Sequence, residues 1–312
     1  MNENIERFYQ CKWGVFNHYL FGIQNSAKSP NSYGRETDWD TCVKELDVEK
    51  LAVNLHDMGA GYYFITIMQG RKYMIAPNKM FDKICGTKPG EACSTRDLIE
   101  DLYQALAKYG IDLYLYFTGD GPYKDIPEGK QFGLIEPREK AITESFVQKW
   151  AAVLEEYSIR YGNKVKGWWI DGGFKDAFGY TDELLSYYYI ACKKGNPNAL
   201  IAFNDGIKNE LVVNYKDEDF TCGEREDFVL IPTQRFYGKA QAHILAPLGT
   251  GDCGIGPYWG SNGIKNSKEY IADYVRRVNT AGGVLTIDIA LFRDGSFDKE
   301  QAETLKYVGK HV

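Results

Sequence analysis

Short apolar runs alternate with amphipathic stretches along the whole chain. Residues 13–18 (WGVFNH) predict a first strand, and residues 62–68 (YYFITIM) a second, uncharged and therefore buried on both faces. Between them, Leu46, Val48, Leu51, Ala52 and Leu55 fall near helical spacing, so residues 47–58 predict a helix. Residues 94–109 predict another, with Ser94 and Asp97 as a capping box and Gly110 as its stop. Strands follow at 111–118 (IDLYLYFT), 165–170 and 200–204. Helices are predicted at 139–161 and at 181–194, the latter ending on Gly195. The stretch 208–263, with several Gly and Pro, reads as irregular. Then come a helix at 267–280 capped by Ser267, a strand at 283–290 (GVLTIDIA), and a helix at 298–308 with Asp298 and Gln301 as its capping box.

Strand–helix alternation over a whole chain implies a parallel sheet with helical crossovers. Seven or eight such units fit the length, with no second domain needed. The expected fold is therefore α/β, a (β/α)8 TIM-like barrel spanning residues 1–312 as one catalytic domain. An open doubly wound sheet is the alternative. In a barrel the active site lies at the carboxyl ends of the strands, so polar residues there are the candidates.

Composition narrows the function. Hydrophobic residues are 44% and charged residues 26%, as in a globular chain, which excludes disordered, collagen-like and coiled-coil proteins. The net charge of −6 and the lack of a basic cluster argue against a nucleic-acid partner. No apolar stretch approaches the ~18 residues of a membrane span, so no membrane partner is expected. The aromatic share of 14% suits sugar binding as well as core filling. Seven dispersed cysteines without a CxxC pair indicate neither a disulfide framework nor a structural zinc site. The first residues lack a basic segment followed by an apolar run. The expected compartment is therefore the cytoplasm, although a trimmed periplasmic or secreted protein would look the same.

The strongest chemical signal is Gly167-Trp-Trp-Ile-Asp-Gly-Gly173, an apolar strand running into Asp171 and two glycines. A carboxylate at such a strand end is placed to act as a nucleophile, the bland alternative being an Asp-Gly turn. One or two strand–helix units later, Asp219-Phe-Thr-Cys-Gly-Glu-Arg-Glu-Asp227 holds Glu224 and Glu226, either a second carboxyl group or a solvated acidic loop. Glycosidases need such a pair. His18 ends the first strand, as a hydroxyl-binding imidazole or a satisfied core histidine. Gly249-Thr-Gly-Asp-Cys-Gly254 matches GxGxxG in letters, but Pro257 and Gly260 forbid the helix that a dinucleotide site requires.

The order of these segments resembles the α-L-fucosidases, family 29 of the glycoside hydrolases. Lys12-Trp-Gly-Val-Phe-Asn-His18 is similar to that family's opening Lys-aromatic-Gly-x-Phe-x-His run. The resemblance continues through Asp38-Trp39, Ser94-Thr-Arg-Asp-Leu98 and the strand at 111–117. Trp169-Ile-Asp-Gly resembles the nucleophile strand, Phe203-Asn-Asp the next strand end, and Pro257-Tyr-Trp-Gly260 a Ser-Trp-Gly segment. Gly282-Gly-Val-Leu-Thr-Ile-Asp-Ile289 and Asp294-Gly-Ser resemble the last strand and turn. Two departures stand out. The family's adjacent His pair after strand two is replaced by Thr66-Ile-Met-Gln-Gly-Arg-Lys-Tyr73, leaving Gln69 or Arg71 in that space. Gly206 stands near where an Arg often follows the Asn of strand five. The family's C-terminal β-sandwich is not expected within 312 residues.

The resemblance implies a retaining exo-glycoside hydrolase that removes a terminal α-L-fucose or related L-sugar from an oligosaccharide or glycoside. Asp171 would be the nucleophile and Glu224 the acid/base. His18, Trp39, Gln69, Trp169, Asn204 and Trp259 would bind substrate, with no cofactor and no metal. A catalytically inactive sugar-binding barrel, or a glycosidase for another α-L-sugar such as L-galactose, are the alternatives that the changed second-strand segment supports.

Overall fold

The computed structural model describes residues 2–134 and 142–312. Its strands are β1 Trp13–Asn17, β2 Tyr62–Thr66, β3 Asp112–Thr118, β4 Val165–Asp171, β5 Leu200–Phe203, β6 Phe236–Tyr237, β7 Ala240–Gln241, β8 His243–Pro247 and β9 Val284–Asp288. Seven form one parallel sheet in the order β5-β4-β3-β2-β1-β9-β8, and β6 and β7 make a separate antiparallel ribbon. Each parallel connection from β1 to β5 runs through helix, as a right-handed crossover demands.

Residues 219–225 fill the space between the sheet's two edges. Asp219 N–H donates to Ile201 O on β5 (2.7 Å) and Thr221 N–H to Gln241 O (3.0 Å). Farther along, Leu245 N–H donates to Gly223 O (3.0 Å) and Arg225 N–H to Leu245 O (2.9 Å). This irregular segment is the eighth stave of a (β/α)8 barrel. Gly223 makes it possible: its φ is +58°, and a Cβ there would stand 1.9 Å from His243 O.

The strands alternate between two cores. Phe16, Phe64, Tyr114, Tyr116, Trp169 and Ala202 face the lumen. Val15, Tyr63, Ile65, Leu113, Leu115 and Ile170 face the helices. Both faces are buried, which is why these strands read as continuous apolar runs. The helix Glu3–Gln10 sends Phe8 into the amino-terminal opening, against Tyr62, Tyr114 and Phe220.

Helices Val48–Met58, Lys268–Thr280 and Lys299–His311 start on the side-chain caps Asp47, Ser267 and Asp298. Four expectations are corrected. The helix placed at 94–109 is Leu98–Ala107, capped by Asp97, because the Ser94 hydroxyl is engaged by Asp40 (3.0 Å). The helix placed at 139–161 is Glu144–Tyr161, capped by Thr143, while residues 139–141 lie outside the described residues. Gly195 is the last residue of the helix Asp182–Gly195 rather than its cap, lying where a Cβ would stand 1.7 Å from Ser158 O. The stretch 208–263 contains β8, whose five residues between glycine-rich loops resemble loop by composition. Among the described residues, no helix is long and apolar enough to cross a membrane.

Candidate active site

The polar residues converge where the strands end. Asp171 is the last residue of β4, and Gly172 turns the chain away at φ +68°, with its Cα packed where a Cβ would stand 2.9 Å from the Asp120 carboxyl carbon. Tyr116 on β3 donates its hydroxyl to Asp171 Oδ2 (2.5 Å). Asn204, directly after β5, donates its side-chain amide to Asp171 Oδ1 (2.7 Å) and also to Glu224 Oε2 (2.8 Å). One amide nitrogen thus bridges both carboxyl groups. Those two oxygens lie no farther apart than the sum of two hydrogen bonds, nearer than the roughly 6.5–9.5 Å carboxyl separation of inverting glycosidases.

The electrostatics separate the two acids. Burial, and then the charge of Asp171, push the Glu224 carboxyl well above the ordinary carboxylate range, against the opposing pull of the Asn204 hydrogen bond. Glu224 therefore holds a proton where an exposed glutamate would not. Burial raises the Tyr116 phenol far above its usual value, so its hydroxyl stays a donor to Asp171. Glu226 points to solvent, and the contact at that residue is through its backbone carbonyl, which accepts from Lys265 Nζ (2.7 Å). Of the two acidic candidates on this segment, only Glu224 meets Asp171.

On the opposite side, His18 follows β1 and its Nδ1 is 2.9 Å from Asp288 Oδ1 at the end of β9. The other Asp288 oxygen accepts from Gly260 N–H (2.6 Å), fixing the loop that carries Trp259. Trp259 meets the His18 ring edge-on at 5.9 Å between centroids. Its neighbour Tyr258 has φ +75°, a strained conformation for a bulky residue, and lies under Lys265 Nζ at 3.7 Å from the ring centroid. Trp169 stacks on Tyr116 (5.5 Å, 22°) and donates its indole N–H to Cys222 O (3.2 Å), forming the floor.

Six of the eight expected site residues therefore meet in one cluster: Asp171, Glu224, Asn204, His18, Trp169 and Trp259. Trp39 is not brought to it. Its ring is buried against Tyr19, Phe21 and Tyr73, and its indole N–H donates to Met74 O (2.8 Å), so it fills a core on the helix side. Gln69 lies beyond β2, between the strands that lead to His18 and Tyr116, and makes no described contact with the cluster; its Oε1 is buried without a hydrogen-bond partner. Tyr116 and Asp288 were missed. The signal for Tyr116 was its inward parity in IDLYLYFT, and for Asp288 a lone acid ending an apolar strand.

The α-L-fucosidase family profile matches residues 2–312. The chain belongs to that family. It is a fucosidase-like glycoside hydrolase, and double displacement with retention is the family's general mechanism. No curated protein sequence matches the chain. Solved structures show the same fold at low identity. The endo-fucoidan hydrolase P5AFcnA of glycoside hydrolase family 107 is 14% identical with a TM-score of 0.68, covering 97% of this chain and 92% of its own. The family 29 α-L-fucosidase from Bacteroides thetaiotaomicron, trapped as a covalent intermediate with 2-fluoro-fucosyl fluoride, is 18% identical with a TM-score of 0.67, covering 99% and 74%. The α-L-fucosidase AlfC from Lactobacillus casei, in complex with α-L-fucose, is 17% identical with a TM-score of 0.65, covering 99% and 98%. A glycan is therefore the substrate class of this fucosidase-family chain.

Proposed function

We propose that this chain removes terminal α-L-fucose from a glycoside, with Asp171 as nucleophile and Glu224 as acid/base. The observation that carries this is the shared Asn204 amide, which holds the Asp171 carboxyl group at the end of β4 close to the Glu224 carboxyl group on the eighth stave, as double displacement requires. An Asp171 oxygen attacks the anomeric carbon as the glycosidic C–O bond breaks, and the proton of Glu224 goes to the leaving oxygen. Asp171 is then a neutral ester, so the repulsion that helped Glu224 keep its proton is gone. Glu224, now ionised, takes a proton from water as that water attacks the anomeric carbon, and Asp171 departs as a carboxylate. Tyr116 and Asn204 orient Asp171 throughout, while His18, held by Asp288, and Trp259 bind the sugar. Seven unpaired cysteines fit a reducing, cytoplasmic compartment.

The test is release of aryl alcohol from an aryl α-L-fucoside. Turnover by the wild-type protein that Asp171→Asn abolishes supports the proposal; absence of wild-type turnover overturns fucose as substrate. The replacement of the family's His pair within residues 66–73 favours a second reading, an aryl α-L-galactoside, whose sugar differs from fucose by one additional hydroxyl. A higher kcat/KM for the galactoside than for the fucoside would establish it.

A further inference from the structure

The outer edge of β5 is paired in an unusual way. In a regular barrel the next strand's backbone would satisfy it. Here side chains supply three of four bonds. Phe203 N–H donates to the Glu218 carboxylate (Oε2, 3.2 Å), and Phe203 O accepts from the Asn214 side-chain amide (2.7 Å). Two residues earlier, Ile201 N–H donates to Asp219 Oδ2 (3.1 Å), and only Ile201 O takes a backbone partner, Asp219 N–H. The second Glu218 oxygen accepts from Asn214 N–H (2.9 Å), which closes a clamp on Phe203 from both sides. Glu218 is fully buried, and none of these contacts is used by the proposed chemistry.

The clamped residue directly precedes Asn204. Asn204 is otherwise fixed by its N–H to Ile170 O (2.8 Å) and by its Oδ1 accepting from Gly206 N–H (3.0 Å). We infer that Glu218 is a positioning residue, whose carboxylate clamps Phe203 so that the adjacent Asn204 amide reaches both Asp171 and Glu224. This rests on the catalytic roles proposed above. Both Glu218 oxygens accept backbone N–H bonds, which favour the ionised double acceptor against the burial that lifts its pKa to about 8. In Glu218→Gln, one end of the amide is a donor and opposes either Asn214 N–H or Phe203 N–H, so β5 shifts at its last residue. Asp219 serves as a control, since it satisfies β5 two residues farther from Asn204 and is paired to Lys193 (2.9 Å).

The test reads the Glu224 proton directly, by 13C NMR titration of side-chain-carboxyl-labelled glutamate in the full chain. It needs no turnover, so failure of the fucosidase reading, judged on the aryl fucoside, is a separate outcome. The groups facing Glu224 are Asp171 from β4, Tyr116 from β3, and Cys222 and Glu226 from its own segment. Those facing Glu218 are Lys175 and Cys222, and burial lifts Glu218 itself to about 8, so the resonance that vanishes in Glu218→Gln is assigned to it and the Glu224 midpoint is read from the remaining one. Loss of the Asn204 hydrogen bond raises the Glu224 midpoint, so Asn204→Ala is expected to move it up by about half a unit or more. Glu218→Gln should move it in the same direction by a comparable amount, and the double variant no farther than Asn204→Ala alone. Asp219→Asn should leave it in place while lowering Tm. An unchanged Glu224 midpoint in a folded Glu218→Gln protein, or equal additional shifts in both Asn204 backgrounds, would overturn the inference. Should Glu218→Gln not fold, Asn214→Asp opens the other half of the clamp and is judged by the same outcomes.

Discussion

At the amino-terminal end of the barrel, Phe8 stands among Tyr62, Tyr114, Phe220 and His243. At the carboxyl end, Tyr116, Trp169, His18 and Trp259 surround Asp171 and Glu224. Both ends are aromatic and contain buried tyrosine and histidine. They differ in where the charge goes. At the closed end Tyr62 pairs with Leu285 O and Thr286 and His243 with Thr221 O and Thr286 Oγ1, all neutral, and the Tyr114 hydroxyl is buried without a partner. Burial drives the His243 pKa down to about 4, so the ring stays neutral. At the mouth, the histidine faces a carboxylate and the tyrosine donates to another. The same inward parity along each strand thus builds a plug at one end and the candidate active site at the other, where the carboxyl groups gather.

Substitutions at the two ends sharpen this contrast. Asp171→Asn is expected to lower kcat on the aryl α-L-fucoside by about 10⁴-fold or more, with the fold intact by circular dichroism. Glu224→Gln should cost ~10²–10⁴-fold and abolish the alkaline limb of the kcat/KM profile. The sign follows from the raised pKa: Glu224 is a competent acid below it, and activity is lost as pH rises through it. Phe8→Ala should do the reverse of both, lowering stability by about 3–5 kcal/mol in denaturant titration while kcat changes little.

A subtler effect comes from His243. Burial depresses its folded pKa from the usual value near 6.5 to about 4, so its neutral form favours the folded state above about pH 6.5. That contribution should be lost as pH falls from about 6.5 toward 4, at up to ~1.4 kcal/mol per unit. His243→Gln should flatten that part of the stability curve. Smallest of all, Glu226→Gln should leave kcat within about twofold, the outcome for exposed surface groups. A large loss there would mean that the acid/base lies elsewhere on the segment.

Much of this was legible in the sequence, for identifiable reasons. Asp171 is readable because an uncharged strand leads into an acid and two glycines, and strand ends in a barrel face the active site. His18 and Asn204 follow by the same logic. Trp39 misled because it stands in the Asp38-Trp39 pair that resembles the family, and its satisfied indole is a tertiary fact. β8 was hidden among glycines, and with it the closure of the barrel. Glu218 and Asp219 could not be read at all, since an acid that replaces a backbone carbonyl on a neighbouring strand has no local pattern. Tyr116 lay one step from recognition, since the alternation of a strand at 111–118 puts it on the same face as Tyr114.

The central claim, that Asp171 is the nucleophile of the bridged pair, is tested most directly by covalent trapping. Incubation with 2-fluoro-fucosyl fluoride, followed by proteolysis and mass spectrometry, should place one fluorofucosyl group on the peptide containing Asp171, with its hydrolysis slowed in Glu224→Gln. A label on another carboxylate, such as Asp120 or Asp288, or steady turnover of aryl fucoside without any label on Asp171, would contradict the account.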